Sequence, residues 1–301
     1  MNVALEMRNV TKAYDSRTVV DDVSLAVERG ETFGLLGPNG SGKTTTIRMA
    51  LDIIRPESGS VSLLGGMPTR EALTRVGYLP EERGLYQKSK VIDILVYLGR
   101  LKRMDAATAR ANAREMLQRV GLYEYRNKKV QALSRGMTQL VQFSGALLHK
   151  PDLIILDEPF AGLDPLNVQL MKEILCERKE RGAAVVFSTH QMLDVEELCE
   201  RVLLINDGQT LLYGHLAELR QARGMRSVRV TADRQPESML GVVDTKFQNG
   251  SFEYLMGEGT KPNEILRAYL DASIPVERYE IALPSLNQIF IEEVSRARNA
   301  K

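Results

Sequence analysis

The stretch GLLGPNGSGKTTT (residues 34–46) places Gly37, Gly42, Lys43 and Thr44 at the spacing G-x-x-x-x-G-K-[ST], directly after an apolar run and ahead of a helical one. Glycines let such a loop wrap so that its amides face phosphate oxygens. The helix N-terminus adds positive potential, Lys43 a point charge for the outer phosphates, and Thr44 a hydroxyl for Mg²⁺. A second stretch, LIILDEP (153–159), ends an apolar run in Asp157-Glu158. An aspartate at a strand end reaches a Mg²⁺ shell through water. A carboxylate one residue on polarises an attacking water, a role worth ~10²–10⁴-fold in rate. Two acids at a strand end usually meet only solvent, and the phosphate loop is what gives these a chemical reading. Together the stretches predict binding and hydrolysis of a nucleoside triphosphate. A third, VGYLPEERGLY (76–86), sets Glu81 and Glu82 after a proline. They fit an acid/base pair, a metal site or a solvated turn.

Short apolar runs must position these residues. TFGLLG (32–37), LIILD (153–157), AVVFST (184–189) and RVLLIN (201–206) read as strands buried on both faces, alternating with longer amphipathic segments. That order predicts an α/β fold with a P-loop, RecA-like core and a mainly parallel sheet. Residues 3–28 alternate instead, as in an N-terminal antiparallel β-layer. From about 88 to 150 the pattern turns helical, an inserted subdomain. From 221 to 301 the texture suggests a small α+β accessory domain in the order β, short α, β, β, α, β, α, with a ferredoxin-like outline and a hairpin at Asn249-Gly250. The ATPase domain is therefore expected over residues 1–220.

The 301 residues carry 40 basic and 39 acidic side chains, so no global field favours nucleic acid. Cys176 and Cys199 lack CxxC spacing and read as buried free thiols in a reducing compartment. MNVALEMRNV has no leader character, and no apolar stretch approaches the ~20 residues of a membrane span, so the chain reads as soluble.

Further stretches add specificity: LSRGMTQ (133–139), FAGLDP after the two acids, and a histidine closing VVFSTHQM. With the phosphate loop, these resemble the ATPase subunit of ATP-binding-cassette (ABC) transporters over residues 1 to about 218. The resemblance implies ATP and Mg²⁺ as cofactors, and roles position by position. Tyr14 would stack on adenine, while Asn39, Gly40, Ser41, Gly42, Lys43, Thr44 and Thr45 line the phosphates. Asp157 would serve the metal, Glu158 act as general base, and His190 sit near the γ-phosphate. Ala161 to Asp164 would cross to a partner subunit. Ser134 and Gly136 would offer a hydroxyl and an amide to the γ-phosphate bound by the other copy, which implies an ATP-dependent head-to-tail homodimer. Arg135 and Met137 depart from the usual LSGGQ at a glycine and the glutamine. Glu81 stands where the family carries a glutamine, which makes it a metal-side and catalytic candidate and leaves Glu82 at the surface. His149 and His215 match nothing.

GYLPEERGLY, LSRGMTQLVQF and the tail PSLNQIFIEEV resemble ATPases paired with ABC-2-type permeases, especially sodium-efflux exporters with an extra C-terminal domain. The implied partner is an integral-membrane permease docked on residues 84 to about 104. The chain would then sit in the cytoplasm, peripheral on the inner face of the membrane. Two alternatives remain: a soluble ABC ATPase acting on ribosomes or DNA, and a regulatory nucleotide switch. A single cassette without a heptad insertion weighs against the first, and intact Glu158 and His190 against the second.

Overall fold

The computed structural model describes residues 2–15, 17–82, 84–222, 227–248, 250–257, 259–282 and 285–299. The chain divides into two compact units, Met1–Gly214 and His215–Lys301.

In the first unit, β1 (Val3–Tyr14), β2 (Arg17–Glu28) and β4 (Ser58–Leu63) form an antiparallel sheet in the order β2-β1-β4. Its alternating residues bury Leu5, Met7, Val23 and Leu25 in one cluster with Leu35, Ile47, Leu153, Ile155 and Leu203 of the core. Each such side chain contributes roughly 1.5–3 kcal/mol by leaving water. The core sheet runs β5 (Val76–Leu79), β6 (Leu153–Asp157), β7 (Ala184–Thr189), β3 (Thr32–Leu36), β8 (Arg201–Asn206), β9 (Gln209–His215), parallel from β5 to β8. Every residue of β3, β6 and β7 is buried, as their apolar runs require. The sequence pattern misses β4, β5 and β9. Strand β5 is four residues long and contains Gly77, where a Cβ would lie 2.3 Å from the Ala146 carbonyl oxygen.

Helix α1 (Lys43–Ala50) follows β3, and the short α2 (Arg70–Thr74) precedes β5. The helical insert comprises α3 (Val91–Leu101), α4 (Ala106–Arg119) and α5 (Arg135–Leu147). Helix α6 (Pro165–Glu180) packs on β7, and α7 (Met192–Leu198) on β3 and β7. Among the described residues no helix is long and apolar enough to cross a membrane. The two cysteines differ: Cys199, after α7, is buried and its thiol pKa is pushed up by burial, but Cys176 on α6 is exposed. The expectation of two buried thiols fails at Cys176 because it falls on the outward side of an amphipathic helix.

His149, just after α5, donates from Nε2 to the Val76 carbonyl at 3.2 Å. Burial, reinforced by the nearby Lys102 ammonium, pushes its pKa down from 6.5 to about 4. The unfolded chain therefore binds a proton that the folded chain refuses. That stability is present above the unfolded pKa and is lost as pH falls through the folded one. Urea unfolding should show a loss of about 2 kcal/mol between pH 7 and pH 5 from this group. His149→Gln should flatten that slope, and an unchanged slope in the variant would exclude His149 as its source.

The second unit begins with α8 (Leu216–Ala222), followed by β10 (Ser227–Thr231), β11 (Val242–Gln248), β12 (Ser251–Met256), α9 (Pro262–Asp271), β13 (Arg278–Ala282) and α10 (Leu286–Asn299). Its antiparallel sheet runs β11-β12-β10-β13, the order of a split β-α-β pair. The short helix expected between the first two strands is absent: residues 232–241 contain no helix. Pro236 in that connection disfavours helical geometry at the residue before it. Buried Val228, Val230, Tyr254, Ile265 and Tyr269 form the core, with the Tyr254 and Tyr269 hydroxyls bonded at 2.6 Å. Asn249 of the expected hairpin lies outside the described residues, as do the basic Arg223 and Arg226; Arg229 pairs with Glu253 at 3.7 Å.

Candidate functional site

Parallel strands expose their carboxyl ends at one edge of the sheet, and the register aligns three of them there. Asp157 of β6 pairs with Ser188 of β7, and Thr189 of β7 pairs with Leu36 of β3. The glycine loop, Glu158 and His190 therefore leave the sheet side by side. Gly42 closes the loop at φ 110°, where a Cβ would meet the Val19 carbonyl oxygen at 2.6 Å. No other residue type satisfies both conditions. The loop and the start of α1 enclose a cavity of about 330 Å³ lined by Val19, Asn39, Gly40, Gly42, Lys43, Thr44, Thr45, Glu81 and Glu158. Thus Glu81, distant in sequence, faces the phosphate loop.

Lys43 is 6 % exposed and donates to the Gly37 and Pro38 carbonyls at 2.8 and 3.1 Å. Its ammonium lies 3.7 Å from Glu158 Oε1. Burial lowers its pKa, while the carboxylates of Glu158, Asp157 and Glu81 work to raise it. Glu158 adopts a left-handed backbone at φ 47°, a conformation that costs a non-glycine residue energy and concentrates at functional sites. The Glu158 N–H donates to the Ser188 carbonyl at 3.2 Å and to Ser188 Oγ at 3.1 Å. These bonds hold the turn and aim the carboxylate at the cavity. His190 Nδ1 lies 3.0 Å from both Glu158 oxygens. An imidazole so placed can orient the carboxylate.

Asp157 is 1 % exposed; Ser188 Oγ donates to its Oδ1, and its Oδ2 has no hydrogen-bond partner. Ser41 Oγ is likewise buried without one. Buried oxygens left unpaired are costly, and an oxygen-seeking cation such as Mg²⁺ satisfies them. The donor set of a hydroxyl, Thr44, and two carboxylates, Asp157 and Glu81, fits such an ion. Ser188, bonded to both Asp157 and the Glu158 N–H, is a residue of the site that sequence reasoning missed. Its only signal was its place opposite Asp157 in the ladder, which no single strand displays.

Other expected residues lie outside the cavity lining. Tyr14 ends β1 with a half-exposed ring and the Lys12 ammonium 5.5 Å from its centre. Ser134 caps α5, accepting from the Met137 N–H at 3.2 Å, which leaves its own O–H free to donate outward. Gly136 lies in the first turn of α5, where an added Cβ would meet Leu163 at 3.4 Å. Asp164 caps α6 through Asn167, whose backbone N–H donates at 3.1 Å and holds the carboxyl below its usual range. Glu82 is exposed, and its carbonyl accepts from Gln142 at 3.3 Å.

A buried strand, a glycine loop whose lysine returns to its own carbonyls, and an acid pair on the neighbouring strand end define a P-loop nucleoside triphosphatase. Residues 20–161 match the ABC transporter family, and residues 214–294 match the C-terminal domain of DrrA1-3-like ATP-binding proteins. The chain is 41% identical over 293 residues to the uncharacterized ABC transporter ATP-binding protein YhaQ of Bacillus subtilis, covering 96% of this chain and 98% of that one. It is 40% identical over 218 residues to the Nod factor export ATP-binding protein I of Burkholderia pseudomallei, covering 71% of this chain and 72% of that one. Among solved structures it resembles the dimeric, post-hydrolysis ATP-binding cassette MJ0796 bound to ADP and Pi, at 25% identity and a TM-score of 0.64, covering 70% of this chain and 98% of that one. The protein belongs to the ATP-binding subunits of ABC transporters, with a DrrA1-3-like C-terminal domain, and is an ATPase.

Proposed function

We propose that this ATPase powers an exporter: two copies close head-to-tail on ATP, hydrolysis reopens them, and a separate membrane permease follows the motion. The observation that carries the catalytic part is the Glu158 carboxylate, fixed between His190 at 3.0 Å and Lys43 at 3.7 Å at the mouth of the phosphate loop. In this reading Glu158 takes the proton of the attacking water, and His190 holds the carboxylate and the γ-phosphate in line. Lys43 leaves its carbonyl partners to meet the outer phosphates, with Asn39 to Thr45 donating backbone N–H groups. Tyr14 stacks on the base. Thr44, Glu81 and Asp157 would hold Mg²⁺, which supplies charge neutralisation on the phosphates. Ser134, Gly136 and Asp164 act on the partner copy's nucleotide, which accounts for their distance from the cavity in one chain. The dimeric form of MJ0796 supports that pairing.

Export is supported by the Nod factor export relative and the DrrA1-3-like tail. The permease would dock beside β5 and α3, where Tyr78, Pro80, Leu85, Leu98 and Leu101 line a hollow of about 280 Å³ flanked by exposed Tyr86 and Tyr97. That docking places the chain on the cytoplasmic face of the membrane. Sodium as cargo rests on the resemblance of the stretches GYLPEERGLY, LSRGMTQLVQF and PSLNQIFIEEV alone; growth at raised sodium, with and without the chain, tests it. Purification of the tagged chain from gently solubilised membranes should recover one integral-membrane partner, lost on Leu101→Glu. Recovery of ribosomes or DNA instead would overturn the reading. Glu81→Gln is expected to keep ATPase activity but raise the Mg²⁺ concentration needed for half-maximal rate, because an amide is the weaker ligand; superimposable Mg²⁺ profiles would remove Glu81 from the metal.

A further inference from the structure

The ends of β3, β6 and β7 away from the phosphate loop frame a second hollow, of about 620 Å³. Arg29 enters it from the turn before β3, Lys150 and Asp152 from the turn before β6, and Arg178 and Arg181 from the end of α6. Four cations thus face one carboxylate, in a chain whose overall charge is +1. That carboxylate is already engaged: Asp152 accepts from Arg75 at 2.6 Å and Arg29 at 3.3 Å.

Arg178 decides the reading. It is 9 % exposed, and among the described residues its side chain makes no hydrogen bond and no ion pair. The guanidinium is pushed below its usual pKa by burial and by Arg181 and Arg119, with Glu115 and Glu177 offsetting this less. Glu177, moreover, is bonded to Arg119. Its guanidinium nitrogens keep some contact with solvent, and a largely enclosed cation without an anionic partner is favoured by an anion placed beside it. The dipole at the end of α6 favours cations there, but its carbonyls do not bond the Arg178 guanidinium. The last carbonyls of α6 are taken by the backbone N–H groups of Arg181, Gly182 and Ala183, at 3.3, 2.8 and 3.1 Å.

We infer that this hollow binds a compact oxyanion carrying two or more negative charges, of the phosphate or pyrophosphate class, at a site separate from the ATP site. Guanidinium forks match the geometry of phosphate oxygens, and a buried one at the base of a small basic hollow suits a compact ligand better than an extended acidic segment. Lys150 and Arg181, both exposed, supply the outer charges. The site lies at the far ends of the strands that carry Asp157 and Ser188.

The probe is inorganic pyrophosphate, titrated by calorimetry in EDTA into the full chain carrying Lys43→Ala, which silences the phosphate loop. One saturable site is expected, weakened at least tenfold by Arg178→Gln and at least threefold by Arg181→Gln or Lys150→Gln. Should Arg178→Gln fail to fold, the two exposed variants decide. Absence of saturable binding, or unchanged affinity in both exposed variants, overturns the inference. So does an acidic peptide binding more tightly than pyrophosphate.

Discussion

Glu158→Gln is expected to lower ATP turnover by ~10²–10⁴-fold while leaving ATP affinity within a few-fold of the unaltered chain. The amide keeps the shape and preserves a hydrogen bond to His190, but it cannot take a proton from water. The left-handed turn at φ 47° and its two bonds to Ser188 belong to the backbone, so the variant folds as before. With turnover blocked, ATP should hold the chain as a dimer on gel filtration. Single-turnover hydrolysis at the unaltered rate would remove Glu158 from the role of base. His190 should matter less for binding than for rate, since it touches Glu158 and not the loop.

Lys43→Ala is expected to weaken ATP binding by roughly a hundredfold or more, about 3 kcal/mol. Among the described residues the ammonium is the one cation lining the cavity, beside Glu81 and Glu158. Without it the charged side chains that the triphosphate meets there would be carboxylates. Lys43→Arg should not rescue binding, because the buried slot between the Gly37 and Pro38 carbonyls is sized for a compact ammonium. Titration with a fluorescent nucleotide gives the comparison, and an affinity within threefold of the original would exclude Lys43 as the principal phosphate contact.

The parts of this site that a reader of the sequence finds are those written in consecutive residues. The glycine loop is one turn of chain, and Asp157-Glu158 end a run so apolar that only a strand buried on both faces accommodates it. The parts that escape are set by pairing between distant segments. Ser188 becomes a second contact for Glu158 only because β7 pairs with β6 in the register Asp157 to Ser188. VGYL escapes as a strand because four residues with a central glycine display no period, although α5 packs close enough that Gly77 is required. In the second unit the hydrophobic alternation of β10 to β13 is legible, whereas the connection through residues 232–241 is helical only by analogy. Arg178 escapes entirely. It looks like one more charge at the end of a helix, and only the packing reveals that it is buried and unpaired.

The unequal burial of the two cysteines has a practical consequence. Cys199 is enclosed and resists deprotonation, while Cys176 stands exposed on the helix whose first turn is capped by Asp164. A maleimide dye or a nitroxide spin label should therefore attach to one position without any engineered mutation. Since that helix is proposed to lead into the partner copy, a label at Cys176 would turn closure of the pair into a distance that can be followed in real time by energy transfer or electron resonance.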